Sequence, residues 1–330
     1  MIEVKDTLTQ TPLVRIERLK TYYPIKKGIF SRTVGHVKAV DDISLNIYEG
    51  ETLGLIGESG CGKSTIGRSI VRLENPSEGK IFFRNENITQ YSNQKLKPIR
   101  KQIQIIFQDP YSSLNPRKKI NDILSEPLIV HKLVDPSRVQ QNVDQLLDAV
   151  GLPRSYKNRY PHEFSGGQRQ RIGIARAISL KPKFIVCDEP VSALDVSIQA
   201  QILNLLKDLQ KELNLTYLFI AHGVGTVKYI STRVAVMYLG KIVELADKTD
   251  LFNHPKHPYT HILLNSSPLP DPKLRNKERI IIQGEVPSSA NPPMGCRFHT
   301  RCPYMQEKCK HEEPPLTGVL HTVACHYPLG

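Results

Sequence analysis

Apolar runs of five or six residues alternate along the chain with longer stretches in which apolar positions recur every three or four residues. The first pattern suits strands buried on both faces, the second amphipathic helices. Ile43–Ile47, Thr52–Gly57, Ile81–Phe83, Ile103–Phe107, Phe184–Asp188 and Thr216–Ala221 are the predicted strands. Ser64–Leu73, Val139–Val150, Gln168–Ser179 and Ile198–Leu213 are the predicted helices. Their alternation predicts an α/β fold. Between Gln108 and Gly166 the strand pattern stops, so an all-helical insert of about residues 109–175 is expected within the α/β core. Thr216–Ala221 and Val234–Leu239 are strand-length, far short of the ~20 apolar residues that cross a bilayer.

After about Ala246 the pattern changes. Half of the chain's 24 prolines fall in its last quarter, which places a domain boundary near residue 250 and predicts a loop-rich tail over 251–330. Such a tail has little core and needs a staple. Cys296, Cys302, Cys309 and Cys325, four of the six cysteines, crowd into it. The N-terminal Met1–Asp6 has no apolar run of the secretory kind, so a cytosolic setting is expected. There, clustered cysteines bind metal more readily than they form disulfides. Forty-five Lys and Arg against 32 Asp and Glu leave a net charge of +13, which attracts polyanions: nucleotide phosphates, nucleic acid or an anionic membrane leaflet.

One stretch decides among these. Gly57-Glu58-Ser59-Gly60-Cys61-Gly62-Lys63-Ser64-Thr65 fits G-x-x-x-x-G-K-[ST] between a predicted strand and a predicted helix. Glycines let successive backbone N–H groups turn toward phosphate oxygens at a helix N-terminus. Lys63 is expected at the β- and γ-phosphates, Ser64 on Mg²⁺ and Thr65 near the α-phosphate. Phe184–Cys187 followed by Asp188 and Glu189 is the Walker B pattern, with Asp188 directed to the Mg²⁺ shell and Glu189 a general base for water. Ser165-Gly166-Gly167-Gln168 opens another helix and offers a second anion grip, explained if it serves a nucleotide held by a facing subunit. No Asn/Thr-Lys-x-Asp base reader of a GTPase is present.

In this motif order the chain resembles an ABC-type ATPase cassette: a RecA-like core with an antiparallel β subdomain and a helical insert. The resemblance implies a Q-loop glutamine at Gln108, which touches Mg²⁺ and the attacking water. It implies a signature loop at Ser165–Gln168, a D-loop ending at Asp195 and a switch histidine at His222. It makes Tyr23 the adenine-stacking aromatic, with Tyr22 the neighbouring candidate and Pro24–Val37 an insert before the next strand. Two positions depart from the family pattern. Phe164 stands for the usual Leu, and Gly223 for the usual Asp after the switch histidine, where it leaves the next helix with a weaker N-cap. Arg169, Arg171 and Arg176 share one helix and are expected as a solvated or inter-domain basic face.

Gln108–Arg117, His257-Pro258-Tyr259-Thr260, Pro268–Pro272 and the cysteine-bearing tail resemble dipeptide and oligopeptide importer subunits, a likeness that runs from Leu13 to Tyr327. It implies a [4Fe-4S] cluster on Cys296, Cys302, Cys309 and Cys325. Zinc stays an alternative, with His299, His311, His321 and His326 as substitute ligands, and free thiols are the third reading. The implied protein is a peripheral ATPase at the cytoplasmic membrane face that uses ATP and Mg²⁺ to drive peptide import. Its partners would be a sister subunit or second copy, two membrane permeases and an external binding protein, with no nucleic acid. The alternatives are a soluble nucleic-acid or ribosome-associated ABC factor, a non-catalytic regulatory cassette, and the same transporter carrying a metal chelate or sugar.

Overall fold

Residues 11–28, 31–266 and 284–330 are described in the computed structural model. Met1–Asp6 and Pro268–Pro272 lie outside the described residues. The chain divides into two units, one formed by residues 1–47, 52–89 and 221–330, the other by 48–51 and 90–220.

The first unit holds an antiparallel sheet in the order Arg32–Ile47, Val14–Lys27, Glu78–Phe83, Glu86–Asn87. Val14 pairs with Ile47 on one side and Phe83 on the other, and Lys27 with Arg32 at the far end. Pro24–Lys27 and Arg32–Val37, within the stretch expected as an insert, are therefore the outer parts of two paired strands. Burial alternates along Val14–Glu17, so one face of this sheet packs and the other is wetted.

The same unit contains the strands Thr322–Val323, Lys241–Asp247, Arg233–Tyr238 and Thr52–Ile56, hydrogen-bonded in that order. Thr52–Ile56 is buried throughout and runs parallel to Arg233–Tyr238. Tyr238 pairs with Lys241 across a two-residue turn in which Leu239 (φ 40°) and Gly240 (φ 81°) are both left-handed. That turn geometry matches the twist of the flanking strands. From the end of Thr52–Ile56 the chain enters the Lys63–Ile70 helix, whose Ile66 and Ile70 are buried.

In the second unit Ile103–Ile106, Phe184–Asp188 and Thr216–Ile220 form a parallel set in which the last two are buried at every position. Helices Asn93–Gln102, Ile120–Val130, Val139–Ala149, Gly166–Ile178 and Val196–Leu213 complete this unit. Val143 and Leu147 are fully buried, as are Ile172, Ile174, Ile202 and Leu206. No strand is described between Ile106 and Phe184, the stretch in which the sequence predicts a helical insert.

Arg169, Arg171 and Arg176 do not form a solvated face. Arg169 donates to the carbonyls of Pro161 and His162, Arg171 to that of Val150, and Arg176 to that of Ser113 at 2.6 Å. Each guanidinium caps a carbonyl of the surrounding loops, a use its several donors suit. Phe164 is 3% exposed and meets the edge of Tyr156 at 5.3 Å, so the larger side chain in place of Leu is accommodated by an aromatic pair.

Candidate functional site

In the first unit the phosphate-type loop leaves the Thr52–Ile56 strand and opens the Lys63–Ile70 helix, as its spacing predicts. Gly62 is left-handed (φ 107°), and a Cβ there would lie 1.9 Å from the carbonyl oxygen of Ala39. At Gly57 a Cβ would lie 2.1 Å from that of Met237. Both positions admit no side chain. Ser59 and Gly60 are exposed at the crest, Ser64 and Thr65 are half-buried, and Cys61 is buried.

Lys63 folds over this loop. Its Nζ donates to the carbonyls of Gly57 and Glu58, at 2.8 and 2.9 Å, and lies 3.4 Å from Nδ1 of His222. Lys63 is 4% exposed, and its ammonium rests on these two carbonyls. Burial pushes the Cys61 thiol up and the adjacent Lys63 partly offsets it. His222 precedes Gly223, which caps the Val224–Ile230 helix without a side-chain bond. Gly223 has an ordinary negative φ (−76°), so this backbone does not require glycine.

Tyr23 is half-buried on the Val14–Lys27 strand. Tyr22, its neighbour, is committed elsewhere: its hydroxyl donates to the Asp41 carboxylate.

In the second unit Asp188 ends a fully buried strand, and Glu189 follows with a left-handed backbone (φ 49°). Non-glycine residues adopt that region at a cost, and such strain clusters at functional positions. Here the Glu189 N–H donates to the Ile220 carbonyl at 3.0 Å, while its Oε2 accepts from Gln108 Nε2 at 2.8 Å. Two of the predicted catalytic side chains are thus in direct contact.

Ser165 is the N-cap of the Gly166–Ile178 helix. Its hydroxyl accepts from the Gln168 N–H, and Gln168 Oε1 accepts from the Ser165 N–H. This capping box satisfies two terminal donors and leaves Ser165 and Gly166 exposed. A Cβ on Gly167 would lie 2.5 Å from Ile198, so this loop lies against the start of the Val196–Leu213 helix. Asp195 caps that helix, and both Asp195 and Val196 (82% exposed) face outward.

The family described as ABC transporter matches residues 40–192, and that described as the C-terminal region of oligopeptide/dipeptide transporters matches residues 243–309. The oligopeptide transport ATP-binding protein AppF of Bacillus subtilis (strain 168) is 53% identical over 321 residues, 96% of this chain and 98% of that protein. The oligopeptide transport protein OppF of Haemophilus influenzae is 50% identical, covering 95% of this chain and 96% of that one. The chain belongs to the ATP-binding subunits of oligopeptide and dipeptide ABC transporters. As a member of that family it is an ABC-type ATPase, and the nucleic-acid alternative is not favoured. A dimeric cassette, MJ0796, in a post-hydrolysis state with ADP and Pi, superposes with a TM-score of 0.63 at 26% identity, covering 71% of this chain and 98% of that one. CbiO1 of Clostridium perfringens matches with the same score at 28% identity, covering 74% of this chain and 92% of that one. No described helix is long and apolar enough to cross a membrane.

In this ATP-binding subunit the tail is tied to the Lys241–Asp247 strand through Glu244, which sequence reasoning passed over. Its carboxylate, fully buried, accepts from the N–H groups of Lys256 and His257 and pairs with His321 Nε2 at 2.6 Å. Cys296, Cys302, Cys309 and Cys325 are free thiols lining one cavity with His257 and Phe298. Burial pushes Cys302 up to about 11 and Cys296 to about 12.

Among the described residues no group of three or more His, Cys, Asp or Glu is arranged to hold a metal ion, so the metal-binding part of the expected extension is not shown. Each histidine named as a substitute zinc ligand has one ring nitrogen engaged: His299 with the Cys296 carbonyl, His311 with Glu307, His321 with Glu244 and His326 with the Glu312 carbonyl.

Proposed function

We propose that this subunit powers uptake of dipeptides or oligopeptides from the cytoplasmic membrane face, with two cassettes clasping ATP between them. The observation that carries the reading is Lys63. Its ammonium is buried on a strand–loop–helix turn whose Gly57 and Gly62 admit no side chain, beside His222. In this reading Lys63, the loop N–H groups of residues 60–65 and His222 hold the β- and γ-phosphates. Ser64, Asp188 and Gln108 serve the Mg²⁺ that screens phosphate charge. Glu189 accepts a proton from the attacking water, positioned by Gln108. Tyr23 stacks on adenine. Lys63→Ala and Glu189→Gln, assayed in the complete transporter, test this: the first loses ATP binding, the second loses turnover but retains binding. Full turnover in both sinks it.

The outward-facing Ser165, Gly166, Asp195 and Val196 support a second cassette as the partner, a sister subunit or another copy. The solved cassette MJ0796 is itself dimeric. Two membrane permeases and an external peptide-binding protein complete the proposed assembly. Residues 251–330 are the transporter-specific extension in this reading.

We further propose that Cys296, Cys302, Cys309 and Cys325 hold a [4Fe-4S] cluster. Four free thiols around one cavity support this, and each cysteine of such a cluster binds a different iron, so the thiols need not converge on one ion. When bound, the cluster would staple a tail that has little core of its own. Iron analysis of anaerobically purified protein should find about four atoms per chain, and none in Cys302→Ser. Zinc or no metal would refute it.

A further inference from the structure

Glu58, the second residue of the phosphate-type loop, is gripped at every polar group. Its carbonyl accepts from Lys63. Its backbone N–H donates to the hydroxyl of Tyr259 at 2.8 Å. Its carboxylate takes both ends of the Arg301 guanidinium, at 2.7 and 3.0 Å. Lys63 belongs to the loop, whereas Tyr259 and Arg301 belong to the tail. Tyr259 is the second residue of the Pro258–Asn265 helix, and Arg301 precedes Cys302.

Both tail residues are rigidly held. Tyr259 is fully buried, and its ring packs against Tyr238 at 4.7 Å and Phe298 at 5.3 Å. The Arg301 side chain is 6% exposed and also donates to the Tyr238 hydroxyl at 3.2 Å. Planar two-point pairing of this kind fixes orientation as well as distance. A loop residue fastened by a buried phenol and a buried guanidinium cannot swing with solvent.

We propose that Tyr259 and Arg301 are positioning residues for ATP binding, acting through Glu58 to hold the phosphate-type loop in its receiving shape. Neither residue touches the nucleotide in this proposal. The tail then contributes to nucleotide affinity through the loop, and nothing in the loop motif by itself would reveal that. The inference rests on the reading of this loop as the phosphate cradle.

The test measures steady-state ATP hydrolysis by the complete transporter, with fluorescent-ATP binding to the full-length chain. Tyr259→Phe, Arg301→Gln and Glu58→Gln should each raise KM and the dissociation constant roughly three- to tenfold while leaving kcat near native. Arg301→Lys, which keeps the positive charge but not the two-point fork, should recover part of the loss. Combining Arg301→Gln with Glu58→Gln should be no worse than the worse single change, because both break one pairing. Merely structural damage would instead lower the active fraction, and hence kcat, at native KM. Native KM in the three single variants, or additive losses in the double, overturns the proposal. Lys63→Ala separates the two readings. If it binds ATP normally, the cradle itself is misassigned. If it fails to bind while Arg301→Gln and Tyr259→Phe keep native KM, only the positioning role falls.

Discussion

Gln108 donates its side-chain amide to the Glu189 carboxylate at 2.8 Å. A general base is useful only where its lone pair is aimed at water, and this bond restricts how the Glu189 carboxylate can turn. Glu189→Gln keeps the shape and removes the basicity. ATP hydrolysis should fall by about 10²- to 10⁴-fold while nucleotide binding stays near native. Gln108→Ala should cost less, since the base remains and only its orientation is loosened. Phosphate release and equilibrium nucleotide binding measure the two halves of the statement, and a Glu189→Gln enzyme that turns over normally would refute it.

The cradle glycines make an independent forecast. Gly62→Ala would place a methyl 1.9 Å from the Ala39 carbonyl oxygen at φ 107°. No rotamer relieves that, so the loop must move. Gly60 is also left-handed (φ 75°), but a Cβ there meets nothing within 4 Å. Gly62→Ala should therefore abolish nucleotide binding, whereas Gly60→Ala should cost about 1 kcal/mol of backbone strain and retain measurable affinity. Titration with fluorescent ATP distinguishes them, and equal behaviour of the two variants would count against the geometry.

Much of the motif-bearing frame was legible in sequence because it consists of continuous apolar runs. Phe184–Asp188 was predicted to the residue, and Thr52–Ile56 and Thr216–Ile220 to within one. What escaped had interrupted patterns. Val14–Lys27 carries a left-handed Arg18 (φ 48°) and register shifts on both sides of Leu19, which break the two-residue period. Asn93–Gln102 and Ile120–Val130 contain Pro98 and Pro127, which read as helix breaks. In the candidate site the loop motif was plain, but the grip of Tyr259 and Arg301 on Glu58 spans 201 and 243 residues of sequence. No local pattern records a pairing at that distance. Tyr259 was visible only as part of the His257-Pro258-Tyr259 resemblance, and Glu244 looked like an ordinary polar residue of a strand.

Glu244 should prove structural. Its fully buried carboxylate answers two backbone N–H groups and the His321 ring. Glu244→Gln turns one acceptor oxygen into a donor facing donors. The loss is about 1.5–3 kcal/mol for each charged bond removed. The expected signature is a lower melting temperature and faster proteolysis within residues 251–330, while residues 90–220 stay protected. Unchanged melting would show that these bonds contribute nothing net.

Asp41 sets a pH dependence. Its side chain is 11% exposed and accepts from Tyr22 and from Arg297, itself 9% exposed. Burial pushes the Asp41 carboxyl up, but the Tyr22 and Arg297 bonds outweigh it and hold the group below its usual 3.8. A carboxylate with a lowered folded value binds fewer protons folded than unfolded. Stability from this group is therefore fully present above pH 3.8 and is lost as pH falls through the folded value. Asp41→Asn leaves Arg297 buried without its counter-charge, a change that costs on the order of 3–5 kcal/mol at neutral pH. The native protein should thus melt well above Asp41→Asn at pH 7, and the gap should narrow as pH falls below 3.8 because protonation removes the same charge. Melting curves of both proteins across that range decide it. A gap that stays constant or widens with acid would mean that the pairing of Asp41 with Arg297 does not carry this stability.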